Sequence, residues 1–225
     1  QRQMCIRDRS MVDYLKDAPD EIAKMLFKLG AVKVNLSNYY RLGSGDFSPL
    51  YVDARQLLSD VDARGQVSSR ILFWVNNCYP EIDAVVGVAS GGIGWAMTLA
   101  NCKLLPVLYA RRDAKDHGLF NQIEGELPKD GAKVVVLDDV ITTGRSALSV
   151  CEALQRGKNG KKAEVLGVFT VFDWDFSVVN KQFEEAGIPK TRIIPLNTLI
   201  AYGINHGLLS DEDKRQIEEF YRQHC

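Results

Sequence analysis

The sequence lacks the patterns that mark several common classes of protein. No apolar run approaches the roughly 20 residues that a membrane-spanning helix needs, and the GxxxxGK[ST] motif of P-loop nucleotidases is absent. The five cysteines are scattered and show neither CxxC nor Cys/His ligand spacing, which favours a reduced cytoplasmic compartment. The 28 Lys and Arg residues nearly balance the 29 Asp and Glu residues, so the net charge of -1 gives no sign of nucleic-acid or membrane binding. The composition therefore favours a small molecule as the ligand.

The length and composition predict one soluble globular domain. The chain has 225 residues, of which 46% are hydrophobic and 25% charged, and this is enough apolar material for a sizeable core. The first ten residues, QRQMCIRDRS, lack the apolar stretch of a signal peptide. We interpret residues 1–10 as a tail or artefact, and residues 11–225 as the single domain.

Strand-like and helix-like segments alternate along the chain. Near-continuous apolar and β-branched runs predict buried strands at 84–89, 104–110, 133–139 and 164–172. Helical periodicity predicts helices at 19–29, 61–78, 92–102, 145–157 and 178–187, a hairpin within 38–55, and a final helix capped by Ser210 and Asp213. Such alternation is typical of an α/β fold with a parallel central sheet.

The stretch 134–154 has the pattern of an anion-binding turn. An apolar strand runs into Asp138 and Asp139, followed by a loop rich in Thr, Gly and Ser and then an amphipathic helix. Unpaired N–H groups at a helix N-terminus attract phosphate, and Gly144 allows the backbone to approach it closely. The two acids would instead accept hydrogen bonds from ribose hydroxyls or hold a metal through water, unless one of them simply caps the helix.

This block, VVVLDDVITTGRS, resembles the phosphoribosyl pyrophosphate signature of the type I phosphoribosyltransferases. The resemblance implies a parallel sheet flanked by helices, with a small hood formed by about residues 30–60 and the C-terminal part. It also implies that Asp138 and Asp139 contact the ribose hydroxyls. The residues implied to cradle the 5-phosphate are Val140, Ile141, Thr142, Thr143, Gly144, Arg145 and Ser146.

Basic residues crowd into the segment 110–127, ARRDAKDHGLFNQIEGEL. They are Arg111, Arg112, Lys115 and His117. Such a loop could close over a polyanion, although a solvated charged loop is the alternative interpretation. The segment resembles the mobile catalytic loop of orotate phosphoribosyltransferases. That resemblance implies a homodimer in which loop 110–127 reaches the neighbouring subunit's site.

Two further segments resemble substrate-binding motifs of the same family. SGDFSPLYVDAR, at 44–55, is similar to the hood motif and implies that Tyr51 and Val52 lie near the base. VVGVASGGIGWA, at 85–96, is similar to the turn that faces the pyrophosphate. The contacts that this turn implies are Ser90, Gly91 and Gly92, for which close packing is the competing explanation.

The resemblance implies transfer of ribose 5-phosphate from phosphoribosyl pyrophosphate to orotate, giving orotidine 5'-monophosphate and pyrophosphate. Mg²⁺ is the expected cofactor, held mainly by substrate and water with no direct protein ligand. The residues expected to be catalytic are Arg111, Arg112, Lys115, His117, Asp138 and Asp139.

Base specificity stays open at this point because Trp174 stands where some orotate enzymes have an arginine. The orotate carboxylate would then need backbone N–H groups, Thr142 or Arg145. The alternatives are a purine phosphoribosyltransferase and a non-catalytic regulator that senses phosphoribosyl pyrophosphate. No DNA-binding segment or basic patch that would favour a regulator is visible in the sequence.

Overall fold

The computed structural model describes residues 18–43, 45–111 and 122–225. The helices are α1 (Ala18–Lys28), α2 (Gln56–Ser59), α3 (Val61–Cys78), α4 (Gly91–Lys103), α5 (Arg145–Arg156), α6 (Ser177–Glu185), α7 (Leu196–Asn205) and α8 (Asp211–Gln223). The strands are β1 (Val32–Val34), β2 (Tyr40–Arg41), β3 (Phe47–Ser48), β4 (Leu50–Val52), β5 (Ala84–Val88), β6 (Val107–Ala110), β7 (Ile123–Glu124), β8 (Ala132–Ile141), β9 (Ala163–Asp173) and β10 (Lys190–Pro195).

A six-stranded sheet with the order β10-β9-β8-β5-β6-β7 forms the centre of the fold. All neighbouring strands run parallel except β7, which pairs antiparallel with β6 at one edge. All five residues of β5 are buried, as expected of a strand covered on both faces. The predicted α/β fold with a parallel central sheet is confirmed, while the antiparallel β7 and the edge strand β10 were not predicted.

The boundaries of two strands differ from the sequence prediction. The strand predicted from residue 104 begins at Val107, because Leu104 ends α4 in a left-handed conformation and is 91% exposed. In β8, extended structure continues past the predicted end at 139 to Ile141. Both acids lie within the strand, as the predicted bounds placed them, and Val140 and Ile141 extend it beyond them.

The helices bury their apolar faces against the sheet and against each other. Helix α4 packs on β5 and β8, α5 packs on β9, and α1 packs on α7. In α8, Ser210 and Asp213 form the predicted reciprocal capping box. Helix α7, which follows β10 directly, was not predicted. Within the described ranges no helix has both the length and the apolar character that crossing a membrane requires.

Residues between α1 and α2 form two small antiparallel ladders. Strands β2 and β3 make the predicted hairpin, and β4 pairs with β1. Buried Ser48 fixes the connection, because its hydroxyl donates to the Leu50 carbonyl at 2.8 Å and accepts from the Leu50 N–H at 3.1 Å. We use the name hood for residues 32–55. The predicted tail, 1–10, lies outside the described residues, and the domain bounds stay a prediction.

Candidate functional site

Asp138 and Asp139 lie near the carboxyl end of β8 and have different surroundings. Asp138 is buried at 6% exposure, and its Oδ1 accepts the Asp139 N–H at 2.9 Å. Burial, followed by the neighbouring charge of Asp139, raises the pKa of Asp138 well above its usual value. The Asp139 side chain is 19% exposed, so it is the more accessible of the two carboxylates.

The loop between β8 and α5 has the geometry of an anion-binding turn. Gly144, with φ of +69°, precedes the first residue of α5, and no side chain caps that helix. The interpretation that one of the two acids merely caps the helix is therefore wrong. Uncapped N–H groups in the first turn of α5 stay available to a phosphate.

The loop is held from behind by α6. A Cβ at Gly144 would lie 2.9 Å from the Phe183 ring and 3.0 Å from a Val179 methyl, so a side chain does not fit there. Ile141 is 1% exposed in the core, which leaves only its backbone for any ligand contact. Thr142, Thr143 and Ser146 are half-buried, Val140 is half-buried and Arg145 is exposed.

A cavity of about 150 Å³ lies against this loop. Its lining consists of Gly43, Asp138, Val140, Ile141, Thr142, Thr143, Gly144, Arg145, Ser146 and Ala147. The fold thus brings the predicted phosphate-binding residues, Asp138 and one residue of the hood around a single space. We call this space the loop cavity.

The second predicted anion-binding turn, Ser90–Gly92, follows β5 and includes the first two residues of α4, beside β8. Its glycines are packed closely against β8. A Cβ on Gly92 would lie 2.0 Å from the Leu137 carbonyl oxygen, and one on Gly91 would lie 2.1–2.2 Å from the Asp139 carboxylate. Close packing therefore accounts for both glycines, and it also places the Asp139 carboxylate directly on this turn.

Arg55, which the sequence analysis did not single out, joins the hood to Asp139. Its Nε donates to Asp53 Oδ1 at 2.6 Å, and its Nη2 donates to the Tyr51 hydroxyl at 3.2 Å. The same Nε lies 3.8 Å from Asp139 Oδ2. Burial acts to raise the pKa of Asp53, but hydrogen bonds from Arg55 and Gln56 outweigh it and hold the pKa below its usual value. No local pattern in the sequence indicates this contact, because Arg55 and Asp139 are far apart along the chain.

The predicted base contacts lie on β4. Tyr51 is half-buried and its ring centroid lies 5.7 Å from that of Tyr40, whereas Val52 is buried at 6% exposure. Trp174 is only 1% exposed and packs in an aromatic cluster with Phe172, Phe176 and Phe220. Its side chain is not among those lining the loop cavity.

Of the four basic residues predicted to be catalytic, the structure describes Arg111. Its N–H donates to the Gln122 carbonyl at 3.0 Å, just after β6. The carbonyl of Ala110, the residue before it, accepts from the Ala89 N–H at 2.8 Å, which places Arg111 beside the second turn. Arg112, Lys115 and His117 lie outside the described residues.

A metal ion at this edge of the sheet would find few protein ligands. Among the described residues, no group of three or more His, Cys, Asp or Glu side chains is arranged to hold a metal ion. The pair Asp138 and Asp139 fits a hard cation only if substrate and water oxygens complete its shell, which is the usual way that Mg²⁺ binds.

Comparison with known proteins agrees with this geometry. Residues 58–174 match the family model described as "Phosphoribosyl transferase domain". The chain is 36% identical over 197 residues to orotate phosphoribosyltransferase of Fusobacterium nucleatum, covering 87% of this chain and 91% of that protein. It is 34% identical over 206 residues to orotate phosphoribosyltransferase of Bacteroides fragilis, covering 92% and 95% respectively.

Among solved structures, orotate phosphoribosyltransferase from Aeropyrum pernix matches with a TM-score of 0.68 and 33% identity. This match covers 84% of the present chain and 99% of the other. The chain therefore belongs to the phosphoribosyl transferase family and, within it, to the orotate phosphoribosyltransferases.

Proposed function

We propose that this protein transfers ribose 5-phosphate from phosphoribosyl pyrophosphate to orotate, producing orotidine 5'-monophosphate and pyrophosphate in pyrimidine biosynthesis. The observation that most supports the proposal is the loop cavity, where an uncapped helix N-terminus and a buried carboxyl group meet. The phosphate of a ribose phosphate suits the helix N-terminus, and its hydroxyl groups suit the carboxyl group. The relatives that share about a third of the sequence are orotate phosphoribosyltransferases.

Binding of the sugar phosphate would use the two chemistries of the site. The N–H groups of the loop and of the first turn of α5 would donate to the 5-phosphate. The Asp139 carboxylate would accept from one ribose hydroxyl. Because the pKa of Asp138 is raised, its carboxyl group binds a proton more readily than usual and could then donate as well as accept.

Charge on the departing pyrophosphate would be stabilised at the Ser90–Gly92 turn and by Arg111 beside it. Mg²⁺, when bound, would neutralise part of this charge and would be held mainly by substrate and water oxygens. The ring nitrogen of orotate would form the new bond to C1 of the ribose as the bond to pyrophosphate breaks, through a transition state of oxocarbenium character, so no nucleophilic side chain is required. Positioning and electrostatics would supply the rate.

Orotate would lie beneath the hood, near Tyr51 and Val52. Because Trp174 is buried among aromatic rings, the orotate carboxylate would be bound by backbone N–H groups, Thr142 or Arg145. These two side chains line the loop cavity.

We further propose a cytoplasmic homodimer in which loop 110–127 of each subunit completes the other subunit's site. Mixing two inactive variants, Lys115→Ala and Asp139→Asn, tests this directly. In a mixed dimer, one site receives both an intact Lys115 and an intact Asp139. Random mixing in equal amounts should therefore restore about a quarter of the wild-type activity. If the loop serves its own subunit, the mixture should stay inactive.

The activity itself is tested by following loss of orotate absorbance with phosphoribosyl pyrophosphate and Mg²⁺. Adenine, hypoxanthine and uracil serve as parallel acceptors, and Asp139→Asn is the inactive control. Turnover with orotate alone supports the proposal. Turnover with a purine but not with orotate would show that the acceptor is a purine base. Tight binding of phosphoribosyl pyrophosphate without turnover on any base would indicate a sensor.

A further inference from the structure

Arg55 is held in a fixed position but leaves much of its guanidinium unpaired. An arginine side chain has five N–H donors. One, on Nε, goes to Asp53, and one, on Nη2, goes to the Tyr51 hydroxyl. Within the part of the chain that the structure describes, the three remaining donors have no hydrogen-bond partner. The side chain is 49% exposed, so these donors are accessible to a ligand.

The place of this guanidinium in the fold indicates which ligand it meets. Arg55 Nε lies 3.8 Å from Asp139 Oδ2, and the Asp139 carboxylate packs directly on Gly91. Gly91 is the first residue of α4, and the turn that leads from β5 into this helix, residues 89–92, consists of Ala, Ser, Gly and Gly and has no charge. Arg55 therefore brings a cation from the hood to a turn that itself offers only N–H groups and a helix dipole.

We propose that Arg55 is a substrate-binding residue that contacts the diphosphate group of phosphoribosyl pyrophosphate. This inference rests on the proposed function for the identity of the substrate. In the free protein the guanidinium faces Asp139. When substrate binds, Asp139 accepts from the ribose and the free N–H fork of Arg55 donates to diphosphate oxygens. Planar guanidinium forks suit such bidentate contacts better than an ammonium group does.

Two hydrogen bonds to hood residues fix the orientation of the Arg55 guanidinium. Asp53 and Tyr51 hold the guanidinium from the hood side, so the hood and the diphosphate would be linked through one side chain. An orotate carboxylate is the other anion that could reach the same fork. The diphosphate is favoured because Asp139, against which Arg55 lies, packs on the turn at Gly91.

The test compares Arg55→Gln, Arg55→Lys and the control Arg215→Gln. Arg215 pairs with Glu212 on the surface of α8, so the control removes the same charge away from the site. Binding of pyrophosphate with Mg²⁺ is measured by calorimetry, without orotate. Loss of charge-assisted hydrogen bonds should weaken binding in Arg55→Gln by about tenfold to a hundredfold. Arg55→Lys should bind with intermediate affinity, because it keeps the charge and loses the fork.

Steady-state kinetics show whether Arg55 contacts the diphosphate or the orotate carboxylate. Arg55→Gln should raise the KM for phosphoribosyl pyrophosphate and leave the KM for orotate unchanged. Two results would overturn the inference: pyrophosphate binding equal to that of Arg215→Gln, or an increase confined to the orotate KM. If Arg55→Gln does not fold, Arg55→Lys decides between the same outcomes. A wild type that binds pyrophosphate through Arg55 but transfers nothing to orotate would support the inference and refute the proposed function.

Discussion

The ion pair between Lys190 and Asp173 gives a sharp test of the energetics behind the phosphate loop. The two side chains are only 5% and 1% exposed, and Lys190 Nζ also lies 5.5 Å from the centroid of the Phe183 ring. Asp173 pairs with Ile141 in the β8–β9 register, directly before the loop. The pair therefore lies beneath the segment that positions the proposed phosphate site.

Replacing Lys190 with Met should destabilise the protein strongly. The substitution keeps most of the side-chain volume but leaves the Asp173 carboxylate buried without its counter-charge. Removing one partner of a buried ion pair costs about 3–5 kcal/mol. For a chain of this size, each kcal/mol lowers Tm by about 2–4 °C. The expected fall in Tm is therefore about 6–20 °C, measured by thermal unfolding at fixed protein concentration with denaturant titration as a second probe.

Two further variants separate loss of the pair from loss of a lysine. In Asp173→Asn/Lys190→Met, the amide oxygen can still accept the Asp175 N–H, which Asp173 Oδ1 accepts at 2.8 Å. This double variant should be more stable than Lys190→Met, because no unpaired charge stays buried. Lys181→Met, which breaks the exposed pair with Glu185, should cost about 0–1 kcal/mol. Equal losses in Lys190→Met and Lys181→Met would refute the reasoning.

Three other outcomes follow from the site geometry. Asp138→Asn should lose activity but be more stable than wild type at pH 8, by about 0.5–2 kcal/mol. Because the pKa of Asp138 is raised, the wild-type protein loses stability as the pH rises and this buried carboxyl group ionises. A free energy of unfolding for the variant that is unchanged or lower, measured with denaturant, would contradict this. Gly144→Ala should lower the free energy of unfolding by about 1–2 kcal/mol because of the left-handed backbone alone. It should also raise the KM for phosphoribosyl pyrophosphate, because the new Cβ would press against Phe183. Normal stability together with a normal KM would contradict the proposed loop geometry. Burial raises the pKa of Cys151 to about 12, so thiol reagents should label the exposed cysteines first, and the contribution of Cys151 to stability should fall as the pH rises from about 9 towards 12. Early labelling of Cys151, detected by mass spectrometry, would show that it is not buried.

Much of the fold could be predicted because the apolar runs are long and regular. The parallel strands are buried on both faces at 84–88 and 167–173, and this produces an unmistakable continuous pattern. Strand β7 has two residues and β10 leads into α7 without a loop, so neither has a pattern of its own. Their positions depend on tertiary contacts.

The candidate site, like the fold, could be predicted from the sequence only in part. The phosphate loop and the two acids are local in sequence, so Asp138 and Gly144 could be identified from one stretch of chain. Arg55 could not, because its proximity to Asp139 joins residues that are far apart in sequence. Trp174 could be singled out from the sequence, but only the structure shows that its ring packs against Phe220 of α8 in an aromatic cluster.

Phosphorus NMR of wild-type protein mixed with phosphoribosyl pyrophosphate, Mg²⁺ and orotate tests the central claim most directly. The account predicts that the substrate signals give way to one phosphomonoester and pyrophosphate in equal amounts, and only when orotate is present. Unchanged substrate, or pyrophosphate release that does not depend on orotate, would contradict it.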